Sequence, residues 1–193
     1  MRRVAKALVV LGSVRAILQT AKLRLLRTLR LANVHEAPKL SKVVVFSGVD
    51  SRRADASAVA KRVEQDIKAI TGAKPLASVA KATIAGFKLR KGQTVGYKAT
   101  LRGRRMCAFL DKLLGVALPK TKEFKGLSLR AFDKGCNVTL GVNDYSAFSP
   151  SLAVGWAPSW TLGLNVTICV VARSLFHAIE LLKLVGFQVK DDV

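Results

Sequence analysis

The chain has 193 residues, half of them hydrophobic, and a formal net charge of +21 at pH 7. Its length suits one ordinary domain with a core of its own, and its hydrophobic content excludes a chain that is disordered throughout. So large a positive charge on a folded protein indicates a polyanionic partner, with nucleic acid first and an anionic membrane surface second.

The basic residues are concentrated in two parts of the chain. Residues 1–33 hold eight Lys or Arg and no Asp or Glu, and residues 74–134 hold fifteen against three. Residues 36–73 are near balance, and residues 135–193 hold three basic against four acidic residues. We therefore expect the partner to bind in the first two regions.

Apolar residues at close to helical spacing predict a basic helix within residues 1–31. Its composition is typical of a mitochondrial targeting sequence. Kept in the mature chain, such a helix can bind RNA phosphates, lie on a membrane or simply cap the fold, and we favour RNA contact. We predict a basic N-terminal helical extension at residues 1–32 and an α+β RNA-binding domain at residues 33–193.

Strand and helix patterns follow one another after this helix. A β-branched run at Lys42–Val49 predicts a strand, and the apolar stripe of the next helix ends at Gly72. Further extended runs are expected at 75–80 and in two pieces between Ile84 and Leu101. In the last piece the side chains alternate between an apolar face and a cationic one: Val95, Tyr97, Ala99 and Leu101 against Gly96, Lys98, Thr100 and Arg102.

The remaining sequence predicts two more helices and one more strand. Helical spacing starts at Arg104 and ends before Pro119, and a last helix at 174–185 has Ser174 as its cap and Gly186 after its end. A stretch of 28 uncharged residues precedes that helix. This stretch is long enough to span a membrane, but its prolines, glycines and period-two alternation favour a different structure. We predict a loop that contains Trp156 and Trp160, followed by a half-buried strand. The fold class is α+β, with a largely antiparallel sheet packed against helices.

Motifs for catalysis and for metal binding are missing from the sequence. There is no phosphate-binding GxxxxGK[ST], HExxH, GxSxG or GxGxxG, and the S-x-x-K at Ser78–Lys81 lacks its companion motifs. The three cysteines form no CxxC pair. We therefore predict no enzymatic activity, no cofactor, no metal and no membrane insertion. A free-standing RNA-binding or RNA-modifying protein and a membrane-surface-associated basic protein are the alternatives.

Four stretches resemble the large-subunit ribosomal protein L5 family of bacterial type. They are NVHEAPKLSKVVVFSGV from Asn33, TGAKP from Thr71, IAGFKLRKGQTVGYKATLRGRRMCAFLDKLLGVALPK from Ile84 and EFKGLSLRAFDKGCNVTLGV from Glu123. Their order and spacing also agree with the family. The resemblance implies a structural constituent of the large ribosomal subunit that binds 5S rRNA, or its replacement, in the central protuberance.

The resemblance also implies particular partners and contact residues. The partners are 5S rRNA or its replacement, the large-subunit rRNA, neighbouring ribosomal proteins and the peptidyl-site tRNA. Candidate rRNA-binding residues are Asn33, Lys39, Lys42, Lys74, Lys98, Thr100, Arg102 and Arg104. In this family the loop matching residues 81–92 reaches toward the tRNA, which makes Phe87, Lys88, Arg90 and Lys91 the candidate tRNA-contact residues.

Two regions depart from the pattern of the bacterial family. Residues 149–165 replace an acidic family segment and add the two tryptophans, and the N-terminal segment is more basic than usual. These departures suggest an organellar member, with the mitochondrion favoured and a plastid or the bacterial cytoplasm as alternatives.

Overall fold

The computed structural model describes residues 13–31, 33–49, 56–121, 124, 126–143, 148 and 163–190. Residues 1–12 of the predicted basic helix, and Trp156 and Trp160 of the uncharged stretch, lie outside these residues. The longer elements are α1 Val14–Thr28, β1 Lys39–Gly48, α2 Ala56–Thr71, β2 Leu76–Val79, β3 Thr94–Leu101, α3 Gly103–Lys112, β4 Val138–Val142, β5 Leu164–Val171 and α4 Leu175–Val185.

The five strands form one sheet in the order β2-β3-β1-β5-β4, with every neighbouring pair antiparallel. Alternate side chains of the four longer strands point into the core, as a period of two requires when one face is buried. The predicted α+β class with an antiparallel sheet is confirmed. The inward residues are Val43, Val45, Tyr97, Ala99, Leu101, Val138, Leu140, Val142, Leu164, Val166, Ile168 and Val170.

The helices cover the inner face of the sheet. α2 packs against β3, α3 packs against β1, and α1 lies against both α3 and α4. The last helix has the ends that its sequence predicts. The Ser174 hydroxyl accepts a hydrogen bond from the backbone N–H of His177, and Gly186, at φ +114°, takes the left-handed conformation of a helix stop.

The described part of the predicted basic extension belongs to the hydrophobic core. Val14, Ala21 and Leu25 of α1 are almost completely buried among core residues. The first turn of α1 is also fixed to α3, because the Val14 N–H donates a 2.7 Å hydrogen bond to the Asp111 carboxylate. A division of the chain near residue 32 stays a prediction.

The helix that begins after β3 does not end before Pro119, contrary to the prediction. It passes from α3 into a π turn, Leu113–Ala117, and a final turn, Leu118–Lys120. Proline lacks an N–H and its ring clashes with the carbonyl one turn earlier in a regular α-helix. A wider π turn directly before Pro119 relieves that clash, so the helix continues.

Two further details differ from the sequence prediction. The extended run expected from Ile84 is instead a loop with a short helical turn at Ala85–Phe87, and strand β4 has no counterpart among the predicted elements. Within the residues that the structure describes, no helix is long and apolar enough to cross a membrane.

Candidate nucleic-acid interface

The face of the sheet turned away from the helices, called here the outer face, is where most of the predicted RNA-binding side chains lie. Strand pairing arranges its residues in rows that cross the sheet. One row runs Leu76, Lys98, Phe46, Asn165 and Gly141, and the next runs Thr100, Val44, Thr167 and Thr139. Strands are about 4.8 Å apart, and residues two apart along a strand are about 6.7 Å apart, so side chains on this face have a fixed spacing.

The positive charge of the outer face is concentrated at β3 and the turn that follows it. Lys98 and Thr100 are exposed, as are Arg102 directly after the strand and Arg104 in the first turn of α3. In the described part of the chain, none of the three cations Lys98, Arg102 and Arg104 forms an ion pair with a carboxylate. The N-terminus of α3 carries no acidic residue and adds its own partial positive charge.

A β-bulge places Lys39 and Lys42 on the same side of β1. Strict alternation would put residues three apart on opposite faces, but the pairing with β5 shifts register between Leu40 and Lys42. The extra residue lets Lys39 pair with Val171 and Lys42 with Cys169, both of them outer-face residues of β5. Both lysines can therefore contact one RNA surface.

Asn33 and Lys74 lie at the margins of this arrangement. The Asn33 Oδ1 accepts a 2.9 Å hydrogen bond from the His35 backbone N–H and caps the short turn Val34–Glu36. This hydrogen bond orients the Asn33 side chain, and its amide N–H groups are the donors that it can offer to RNA. Lys74 is exposed and lies two residues before β2. The first residue of β2, Leu76, pairs with Lys98, so Lys74 lies at the end of β2 that is beside Lys98.

Phe46 is an outer-face residue that the sequence reasoning missed. Its ring extends from β1 over Gly96 of β3, where a Cβ atom would come within 2.7 Å of the ring and 2.6 Å of the Ser47 carbonyl oxygen. Gly96 therefore lets the ring cover the neighbouring strand. Val43, Val44 and Val45 show no alternation of apolar and polar residues, so the sequence alone did not assign Phe46 to a face. Its position beside Lys98 follows from the pairing of β1 with β3.

The predicted tRNA-contact residues form a separate, ordered loop between β2 and β3. Ile84 and Leu89 exchange backbone hydrogen bonds of 3.0 and 3.2 Å, which close the tip of the loop. At its base, the Lys91 N–H donates to the Thr83 hydroxyl. Phe87 is 65% exposed. Lys88 has a positive φ of 53°, and Lys88, Arg90 and Lys91 are all exposed at the surface of the loop.

The titratable groups with perturbed pKa values lie away from the outer face. Burial raises the pKa of the Cys107 thiol, and the Asp111 carboxylate raises it further. Burial also raises the pKa of the Tyr97 hydroxyl, with a smaller contribution from Glu64. Both groups therefore stay protonated near neutral pH. Across the described ranges, no group of three or more His, Cys, Asp or Glu residues is placed to hold a metal ion.

The chain matches two protein-family models that together cover most of its length. Residues 33–90 match the model described as "Ribosomal protein L5", and residues 94–189 match the model that describes the C-terminus of the same ribosomal family. These matched ranges contain every candidate rRNA-binding residue named above, and all the candidate tRNA-contact residues except Lys91.

Curated relatives in bacteria agree with these matches. The chain is 39% identical over 169 residues to the large ribosomal subunit protein uL5 of Prochlorococcus marinus (strain MIT 9211), covering 88% of this chain and 93% of that protein. It is 40% identical over 162 residues to the protein of the same name from Anaeromyxobacter sp. (strain Fw109-5), covering 84% and 88% respectively. The chain therefore belongs to the ribosomal protein L5 family, whose members are structural, non-enzymatic constituents of the large ribosomal subunit.

Proposed function

We propose that this protein binds 5S rRNA, or the RNA that replaces it, in the central protuberance of the large subunit, and that the outer face is the binding surface. The observation that supports this most directly is the row of exposed cations that continues from Lys98 through Arg102 to Arg104 without a neutralising carboxylate among the described residues. Family membership supports the choice of rRNA as the polyanion.

The physical basis of binding is the release of counterions by side chains that are already positioned. Each Lys or Arg that meets a phosphate releases condensed cations from the RNA. Because Lys98 and Thr100 stand on a strand held between two others, the backbone loses little further entropy on binding. A-form RNA presents 2′-hydroxyl groups and phosphates on its accessible side, and the threonine hydroxyls and Asn165 amide of the outer face are suitable partners for them.

The β2–β3 loop is the part of the protein that we assign to the peptidyl-site tRNA. Its exposed Phe87 ring offers a stacking surface, and Lys88, Arg90 and Lys91 supply charge for the phosphates around it. Internal hydrogen bonds link the backbone of the loop, so the backbone that carries the ring loses little further entropy on binding.

We further assign the protein to a mitochondrial ribosome. Residues 1–33 contain eight basic residues and no acidic one, as mitochondrial targeting segments do. The similar proteins from Prochlorococcus and Anaeromyxobacter are bacterial. This agrees with a bacterial-type ribosome in a mitochondrion, and equally with a ribosome in a plastid or a bacterium.

The test is to identify the RNA that contacts the protein in cells. A tagged full-length chain is crosslinked by ultraviolet light, sedimented with ribosomal subunits, and the attached RNA is sequenced. We expect the chain in the large-subunit fraction, with crosslinks to 5S rRNA or to the large rRNA segment that takes its place. Crosslinks mainly to messenger RNA, or a chain that sediments free of subunits, would contradict the proposal.

A further inference from the structure

A small cleft lies beside the start of β1. It has a volume of about 280 Å³ and lies between α1, the segment that leads into β1, and α4. Its lining is mostly apolar, two of its residues are lysines, and none is acidic. The lining residues are Leu18, Lys22, Val34, His35, Ala37, Pro38, Lys39, Leu40 and Leu181.

The cleft combines an apolar floor with a cationic rim. Ala37, Pro38 and Leu181 are buried, and they form a surface that cannot hydrogen-bond through its side chains. Lys22 on α1 and Lys39 at the start of β1 are exposed and belong to different walls. This arrangement suits a ligand with a flat or apolar body and a negative charge at its edge.

We propose that this cleft receives one unpaired nucleotide of the bound RNA, with its base against the apolar floor and its phosphate held by Lys22 and Lys39. The inference rests on the proposed rRNA binding and adds a site to it. Proteins read RNA mainly through bases that are unstacked and placed on protein surfaces. The volume lies just below the roughly 300–1,000 Å³ of small-molecule sites, so it suits a single base better than a longer segment.

Lys39 connects this cleft with the outer face. It lines the cleft, and its pairing with Val171 also puts it on the outer side of the sheet. One RNA strand can therefore pass from the cationic turn of β3 across Lys42 to Lys39 and insert its next unpaired base into the cleft. An apolar side chain of a neighbouring protein would find the same floor but would leave both lysines without a partner.

The test compares two hairpin RNAs that differ by one unpaired uridine in the stem, the uridine being replaced by 4-thiouridine for crosslinking. The full-length chain should bind the RNA with the unpaired uridine on the order of tenfold more tightly. The crosslinked peptide should contain residues 34–40. Leu18→Trp, which fills the cleft, should remove both the preference and the crosslink, whereas Leu23→Trp on the exposed side of the same helix should change neither.

Exposed charges provide a second test that does not depend on the folding of the Trp variants. Lys22→Gln should lower affinity for the RNA with the unpaired uridine more than Arg24→Gln, which removes an equally exposed charge on the far side of α1. Equal effects of the two, or crosslinks confined to the outer face, would overturn the cleft assignment while leaving rRNA binding intact. If neither hairpin binds and no rRNA is crosslinked in cells, the proposed function fails as well.

Discussion

Neutralising the three cations that follow one another along β3 and into α3 should weaken RNA binding in a salt-dependent manner without unfolding the protein. The triple variant is Lys98→Gln, Arg102→Gln and Arg104→Gln. All three side chains are exposed and none forms an ion pair with a carboxylate of the described residues. Their removal therefore takes no partner from a buried charge, and substitutions at such sites usually change stability by less than about 0.5 kcal/mol.

The size of the effect follows from the number of phosphates that the variant no longer neutralises. Each neutralised phosphate contributes about 0.9 to the slope of log K against log salt for a duplex and about 0.7 for a single strand. If each cation meets one phosphate, the slope should fall by roughly 2 to 3. Wild type and variant should differ most at low salt and converge as salt rises.

The assay is a titration of labelled 5S rRNA at several salt concentrations, with melting temperature as the check on folding. The matched control is Lys61→Gln, Lys68→Gln and Lys112→Gln, three exposed lysines on helices α2 and α3 that remove the same total charge. We expect the control to keep most of the wild-type slope. An equal fall in slope for the two triple variants would refute the outer face as the binding surface, because net charge alone would then explain the affinity.

Three other outcomes are expected. Bound RNA should slow alkylation of Cys169 on the outer face and leave that of the similarly half-buried Cys107 unchanged, as mass spectrometry can measure; equal protection would argue against the interface. Hydrogen bonds from Asn137 lower the pKa of Asp133, so its stabilising effect is present above the pKa of a free aspartate and is lost on acidification. The melting temperatures of wild type and Asp133→Ala should therefore converge at low pH, and a constant gap would contradict this. Gly96→Ala should cost about 1–3 kcal/mol, seen as a fall of several degrees in melting temperature, and an unchanged value would contradict the close packing there.

The sequence predicted those parts of the fold whose side chains alternate with a clear period. In β3, Tyr97 and Leu101 are buried while Lys98 and Thr100 are exposed, as the period of two indicated. The last helix also has the cap and the stop that its sequence signalled. Local patterns of this kind report burial directly, because one side of each element must face the core.

The parts that the sequence did not predict depend on partners that are distant along the chain. Strand β4 has only five residues, and it becomes a strand by pairing with β5, which lies beyond a long intervening segment. The bulge between Leu40 and Lys42 depends on the register with the same distant strand. The apolar residues at 84–89 predict a strand, but the two ends of that segment bond to each other and close a loop.

The sequence reasoning named the charged candidates together with Asn33, Thr100 and Phe87, and their role in RNA binding stays a prediction. It did not name Phe46 or the neutral outer-face residues of β4 and β5. The lysines and arginines are identifiable because runs without acidic residues are visible in any window of the sequence. Phe46 falls within a predicted strand, but the prediction did not assign it to a face. The hydroxyl pair Thr139 and Thr167, whose Oγ1 atoms lie 3.0 Å apart across β4 and β5, requires the pairing of those strands to be known.

If RNA binds the outer face as proposed, the uneven distribution of charge across that face gives it a preferred orientation. Cations lie on β3, on the turn after it and at the start of β1, whereas the outward residues of β4 and β5 are neutral, with Thr139, Asn165 and Thr167 among them. Phosphates gain most at the first side, because only there are counterions released. The neutral side can still donate hydrogen bonds to 2′-hydroxyl groups. An RNA helix should therefore place a phosphate backbone along β3 and its shallow groove over β5 and β4, an orientation that a uniformly charged sheet would not select.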